Sequence, residues 1–179
     1  MNPYRIPVRE SSLKDNLRLS GVIYDSLADG EGVRAALYFS GCGHQCPGCH
    51  NPETHDFYSG QIVTSESILE IAEEINKRPY LSGITLTGGD PLYRPAQLAV
   101  LLQSILDRVE RPISVWLYTG FRWEDIFDLP VMSLVDVVVD GPFILSCADK
   151  RLAYRGSTNQ RIIDVKKSIE SGEVSLYEA

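Results

Sequence analysis

The chain has 179 residues, 44% hydrophobic and 23% charged, with a formal net charge of −7. These values fit one globular domain over 1–179 and exclude a disordered chain, a collagen or a disulfide-stapled miniprotein. No secretory signal opens the sequence and no uncharged apolar run nears the ~18 residues of a membrane span, so a cytoplasmic protein without a membrane partner is expected, and the acidic balance argues against a nucleic-acid partner.

Residues 1–19 read as an N-terminal extension. The first strand signal is "VRAALYFS" (33–40), followed by "GITLT" (83–87), "ISVWLY" (113–118), "LVDVVV" (134–139) and the weaker "QRIID" (160–164). Helical spacing appears between them. In 65–77, Ile68, Ile71, Ala72 and Ile75 share a face, with Ser67 and Glu70 as a capping box. In 95–109, Pro95 suits the first helical position and Leu98, Leu101, Leu102, Ile105 and Val109 form the stripe. Shorter helices are expected over 123–129 and 164–171. Alternating strands and helices predict an α/β fold. Five strands are too few to close an eight-stranded barrel, so the expectation is an open or partial (βα) barrel of about five mainly parallel strands with covering helices.

The segments after the strands read "SGCGHQC", "TGGDP", "YTGF" and "VDGP". Parallel strands end at one edge, where α/β folds gather their chemistry. These loops should therefore face one pocket. Within the first of them Cys42, Cys46 and Cys49 lie among Gly41, Gly43, Pro47 and Gly48, which is turning-loop chemistry rather than core. Three thiolates so close suit zinc or an iron–sulfur cluster. Zinc would need a fourth ligand from His44, His50, His55 or Cys147. A cubane cluster can be held by three cysteines with one iron left open. Gly88 and Gly89 permit close backbone approach to a ligand. Arg155 could meet a carboxylate and Asp140 could orient a ribose, while Ser157 and Asn159 come from the same late motifs; Cys147 reads as a free thiol.

The order "ADGEGVR" (28–34), "GCGHQCPGCHN" (41–51), "NPETHDF" (51–57), "LTGGDPL" (86–92), "VWLYTGF" (115–121), "DVVVDGPF" (136–143) and "YRGSTNQRIIDV" (154–165) resembles the radical S-adenosylmethionine (SAM) superfamily. More narrowly it resembles the activating proteins of anaerobic ribonucleoside-triphosphate reductases. The resemblance implies a radical SAM barrel in which Cys42, Cys46 and Cys49 hold a 4Fe-4S cluster whose unique iron is chelated by SAM. It implies SAM contacts from Gly48, Cys49, His50, Gly88, Gly89 and Asp90. No side chain is assigned as catalytic, because the chemistry is centred on the cofactor: reductive cleavage of SAM and abstraction of hydrogen from a glycine of the reductase. The implied partners are that glycyl-radical subunit and a flavodoxin- or ferredoxin-like electron donor. Activation of another glycyl-radical enzyme, or a zinc-stabilised interaction module, are the rival readings. Between Lys150 and Lys167 six bases face one acid, Asp164, which suggests either a solvated face or a docking surface.

Overall fold

The computed structural model describes residues 16–178. Seven strands form one sheet: β1 (Arg18–Ser26), β2 (Arg34–Phe39), β3 (Gln61–Ile62), β4 (Gly83–Gly88), β5 (Ser114–Tyr118), β6 (Val137–Asp140) and β7 (Arg161–Asp164). Their lateral order is β3-β1-β2-β4-β5-β6-β7. β2, β4, β5 and β6 are parallel; β1 and β3 at one side and β7 at the other are antiparallel to their neighbours. Helices α1 (Ser65–Asn76), α2 (Pro95–Leu106) and α3 (Trp123–Ile126) lie between the parallel strands, and α4 (Val165–Ser171) follows β7. This is the expected partial barrel with covering helices, its parallel strands flanked by antiparallel ones.

Three details differ from the sequence-based expectation. The sheet has seven strands rather than five, because β1 ("RLSGVIYDS") and the two-residue β3 lack a continuous apolar run: β1 alternates buried and exposed positions. The sheet also starts inside the stretch read as an extension, since Leu17 and Leu19 are buried and Leu17 O accepts from Val63 N; residues 1–15 lie outside those described. The capping box of α1 sits one turn earlier than read. Thr64 is the N-cap in an extended conformation, its side chain accepting from Ser67 N while Ser67 Oγ accepts from Thr64 N at 2.8 Å, which satisfies two donors at the helix start.

Strand residues alternate between two faces. Ala35, Leu37, Phe39, Ile84, Leu86, Val115, Leu117 and Val138 point to the helices and pack with Ile71, Ile75, Leu98, Leu102, Ile105 and Ile126 in the main core. Trp116, Val137 and Val139 point to the concave face and form a second cluster with Tyr118, Tyr154, Ile162 and Tyr177. The runs that read as uniformly apolar thus serve two cores. Truncating a fully buried member such as Leu86 costs about 2–5 kcal/mol.

Register then places the functional loops. Phe39 pairs with Gly88 and Tyr118 with Val139, so the parallel strands end close together. The segments beginning at Ser40, Gly89, Thr119 and Gly141 leave from one edge.

Candidate active site

The concave face opens at this edge into a cavity of about 430 Å³. Cys42, Cys46 and Cys49 line one wall, Gly88, Gly89 and Asp90 the floor, and Tyr118, Thr119 and Gly120 the turn after β5. His50, Phe143 and Arg155 line it as well, as do Asp29 and Tyr38. The predicted gathering of dispersed loops is therefore present.

The cysteine loop is held through its backbone. Gly41 N donates to Thr54 O at 2.8 Å, Cys42 N to His55 O at 3.1 Å, and Cys49 N to Cys46 O at 3.1 Å. Gln45 takes a left-handed conformation, with φ 46°, which for a non-glycine residue is uncommon and marks a tightly determined turn. Burial pushes the Cys42 thiol up to about 11 and also raises Cys46, so in the protein alone burial favours the protonated form of these two. A cation would supply the charge that makes thiolate ligands favourable. All four cysteines are free thiols. Among the described residues no three His, Cys, Asp or Glu side chains converge on a single ion's position. A polynuclear cluster needs less convergence, because each thiolate meets a different iron. His55 Nε2, beside the same loop, is buried with no hydrogen-bond partner. Three soft donors on one cavity wall fit an iron–sulfur cluster.

The histidines are placed unequally. His44 turns inward, its ring edge-on to Phe121 at 4.6 Å and tilted against Tyr93 at 5.6 Å, with Nε2 donating to Asp90 Oδ2 at 2.8 Å. His50 packs against Phe143 at 5.3 Å. Gly89 is required by the cysteine loop itself: a Cβ there would stand 2.6 Å from Gly41 O, while Asp90 N donates to that carbonyl at 2.9 Å. Its smallness thus serves loop-to-loop packing as much as any approach by a ligand. Asp90 lines the cavity, but it is only 3% exposed and its carboxylate is surrounded by protein donors.

Other expectations sort themselves by position. Arg155 reaches the cavity and donates to Gln160 O at 2.7 Å. Asp140 is turned away from the cavity: it accepts from Trp123 N at 2.8 Å and pairs with Arg161. Ser157 is buried and its hydroxyl accepts from Ile144 N, and Asn159 Nδ2 donates to Pro142 O at 2.8 Å. Both are loop braces. Of the six bases in 150–167, Arg151 pairs with Asp149, Arg161 with Glu124 and Asp140, and Lys167 with Asp164. Much of that apparent excess of positive charge is consequently matched locally.

Residue-by-residue reading overlooked Asp29 and Tyr38. Tyr38 donates to Asp29 Oδ2 at 3.1 Å, and burial helped by that carboxylate holds the phenol up to about 12. The signal was available: Tyr38 is a polar-tipped residue at an inward position of β2, and Asp29 lies in the quoted "ADGEGVR".

Comparison with known proteins agrees with this geometry. Residues 28–163 match the family described as "4Fe-4S single cluster domain". The anaerobic ribonucleoside-triphosphate reductase-activating protein of Enterobacteria phage T4 is 38% identical over 136 residues, covering 75% of this chain and 85% of that protein. Its counterparts from Escherichia coli (strain K12) and Vibrio cholerae are 37% and 38% identical, with 90% of each covered. At these identities and coverages, the chain belongs to the family of anaerobic ribonucleoside-triphosphate reductase-activating proteins.

Proposed function

We propose that this protein is a radical SAM activase that generates a glycyl radical on an anaerobic ribonucleoside-triphosphate reductase. Cys42, Cys46 and Cys49 would hold the 4Fe-4S cluster, and SAM would occupy the cavity against the fourth iron. The observation that carries this reading is the meeting of the three thiols with the Gly88–Gly89 turn in one cavity at the ends of four parallel strands. Held by these residues, a reduced cluster would supply the one electron needed to split a carbon–sulfur bond of SAM into methionine and a 5′-deoxyadenosyl radical, the species that would take a hydrogen atom from the reductase glycine.

The chain's own part is positioning and exclusion of water. The Gly88–Gly89 backbone and the Gly48–His50 segment are proposed to hold the two ends of SAM. Tyr38 and Tyr118 form the inner wall, and both hydroxyls are turned to protein acceptors, Asp29 Oδ2 and Tyr154 O. Those hydrogen bonds keep the phenols oriented at the cavity wall, where a reactive intermediate must be confined. A flavodoxin- or ferredoxin-like protein in the cytoplasm would deliver the electron.

Anaerobically prepared protein given SAM, a reductant and the reductase should release 5′-deoxyadenosine and leave a glycyl radical visible by electron paramagnetic resonance (EPR) on the reductase. Colourless protein containing one zinc and no iron would support the interaction-module reading instead. Cleavage of SAM with no radical on the reductase, but with one on another glycyl-radical enzyme, would reassign the partner.

A further inference from the structure

The carboxylate of Asp90 stands at the cavity floor in the position where a contact to SAM was expected, yet its oxygens are already occupied. Oδ2 accepts from His44 Nε2 at 2.8 Å, from Gly120 N at 2.9 Å and from Thr119 Oγ1 at 2.9 Å. Oδ1 accepts from Leu92 N at 3.0 Å, and the single Thr119 hydroxyl proton is shared between the two oxygens, Oγ1 standing 3.0 Å from Oδ1. A carboxylate offers about four lone-pair directions, so little capacity remains for a ligand. The donors come from three segments that are distant in sequence: the cysteine loop, the turn after β4 and the turn after β5.

His44 is the arm that reaches the cysteine loop, midway between Cys42 and Cys46. Its ring is fixed on both sides by Phe121 and Tyr93. Gly120 leaves room for it, since a Cβ there would meet His44 Cδ2 at 2.5 Å. One buried anion therefore joins the thiol-bearing loop to the turns that form the rest of the cavity. Hydrogen bonds to an ionised acceptor are roughly twice as strong as neutral ones, and a network sealed from water loses more than one bond when a member is removed.

We propose that Asp90 is a positioning residue rather than a SAM ligand, and that it acts through His44 to set the Cys42–Cys46 segment against the Gly88–Gly89 turn. The proposal rests on the radical SAM reading for its consequence, because the distance it fixes is that between cluster and cofactor. A direct contact and a clamp predict different coupling between the two residues. If Asp90 touches SAM, its loss weakens SAM binding whether or not His44 is present. If it is a clamp, His44 and Asp90 work as a unit and their losses do not add.

The test is a double-mutant cycle of His44→Ala and Asp90→Ala on the reconstituted full chain, read as SAM affinity and as the SAM-induced change in the EPR spectrum of the reduced cluster. Each single variant should lose about tenfold in SAM affinity and show the same altered spectrum, with the double variant no worse than either. His44→Gln, which keeps a donor at similar reach, should recover most of the loss. Wild-type affinity in His44→Ala beside a loss in Asp90→Ala, or losses that multiply, would overturn the clamp. Should an alanine variant fail to retain iron, the same cycle is read on the apo-protein by hydrogen exchange of amides 41–50: equal, non-additive acceleration supports the clamp and unchanged exchange contradicts it. Wild-type protein that never binds SAM through a cluster would instead defeat the functional reading.

Discussion

Both ends of the parallel strands bury charged side chains, and Arg34 at one end and Asp90 at the other are used differently. At the N-terminal edge Arg34, the first residue of β2, is 1% exposed. Its guanidinium donates to Thr85 Oγ1 at 2.7 Å, to Ser114 Oγ at 2.9 Å and to the carbonyls of Ile84, Ser114 and Glu31 at 2.8–3.0 Å, and it lies over Trp116 at 5.4 Å. Most of its partners belong to neighbouring strands, so it locks the sheet to itself. Burial brings it down to about 10, still above neutral pH, and it remains a cation. At the C-terminal edge most partners of Asp90 belong to loops. The contrast is that strand-to-strand wiring closes one end, whereas loop-to-loop wiring at the other leaves a shaped cavity. Arg34 should govern stability and Asp90 the geometry of the site.

The largest effects are expected at the cysteines. Cys42→Ala, Cys46→Ala or Cys49→Ala should each abolish stable cluster binding and SAM cleavage, as measured by iron content and 5′-deoxyadenosine release. Cys147→Ala should retain both. Next in size, Arg34→Met leaves several buried acceptors unpaired and should lower unfolding free energy by roughly 3 kcal/mol in urea titration. The fraction that remains folded should keep its SAM affinity, opposite to the behaviour expected of Asp90→Ala.

A smaller effect is expected in the pH dependence of the concave face. The Tyr38 phenol is held up to about 12 against an ordinary value of 10.0, chiefly by burial. The native state therefore keeps a proton that the unfolded chain releases as pH rises past 10. Stability supported by this group is complete below that pH and lost as pH rises through about 12. The urea midpoint should fall over this window, and less steeply in Tyr38→Phe. Smallest of all, Arg151 is 90% exposed where it pairs with Asp149, so Arg151→Ala should leave the urea midpoint unchanged within error.

Much of this arrangement was legible in the sequence, for identifiable reasons. The four parallel strands announced themselves because both their faces are buried, and the meeting of their loops followed from parallel topology. β1 was missed because one of its faces meets solvent and its apolar positions are interrupted by Ser20 and Gly21. Single residues were harder to read. Asp90 in "TGGDP", two residues past β4, and Asp140 in "VDGP", the last residue of β6, both stand at the C-terminal edge, yet one meets the cavity and the other pairs with Arg161 from β7. The orientation of Asp140 depends on an antiparallel partner some twenty residues away, and local pattern carries no record of that pairing. Likewise the inward turn of His44 depends on Gly120 and Phe121, which only the folded sheet brings beside it.

The central claim is that three thiols of one loop leave an iron of the cluster open to SAM. It is tested most directly by pulsed electron–nuclear double resonance on the anaerobic, reduced protein with SAM isotopically labelled at its amino and carboxylate groups. Hyperfine coupling of those labelled atoms to the cluster is expected, lost on adding excess unlabelled SAM. An intact cluster showing no such coupling, with all four irons ligated by protein side chains, would contradict it.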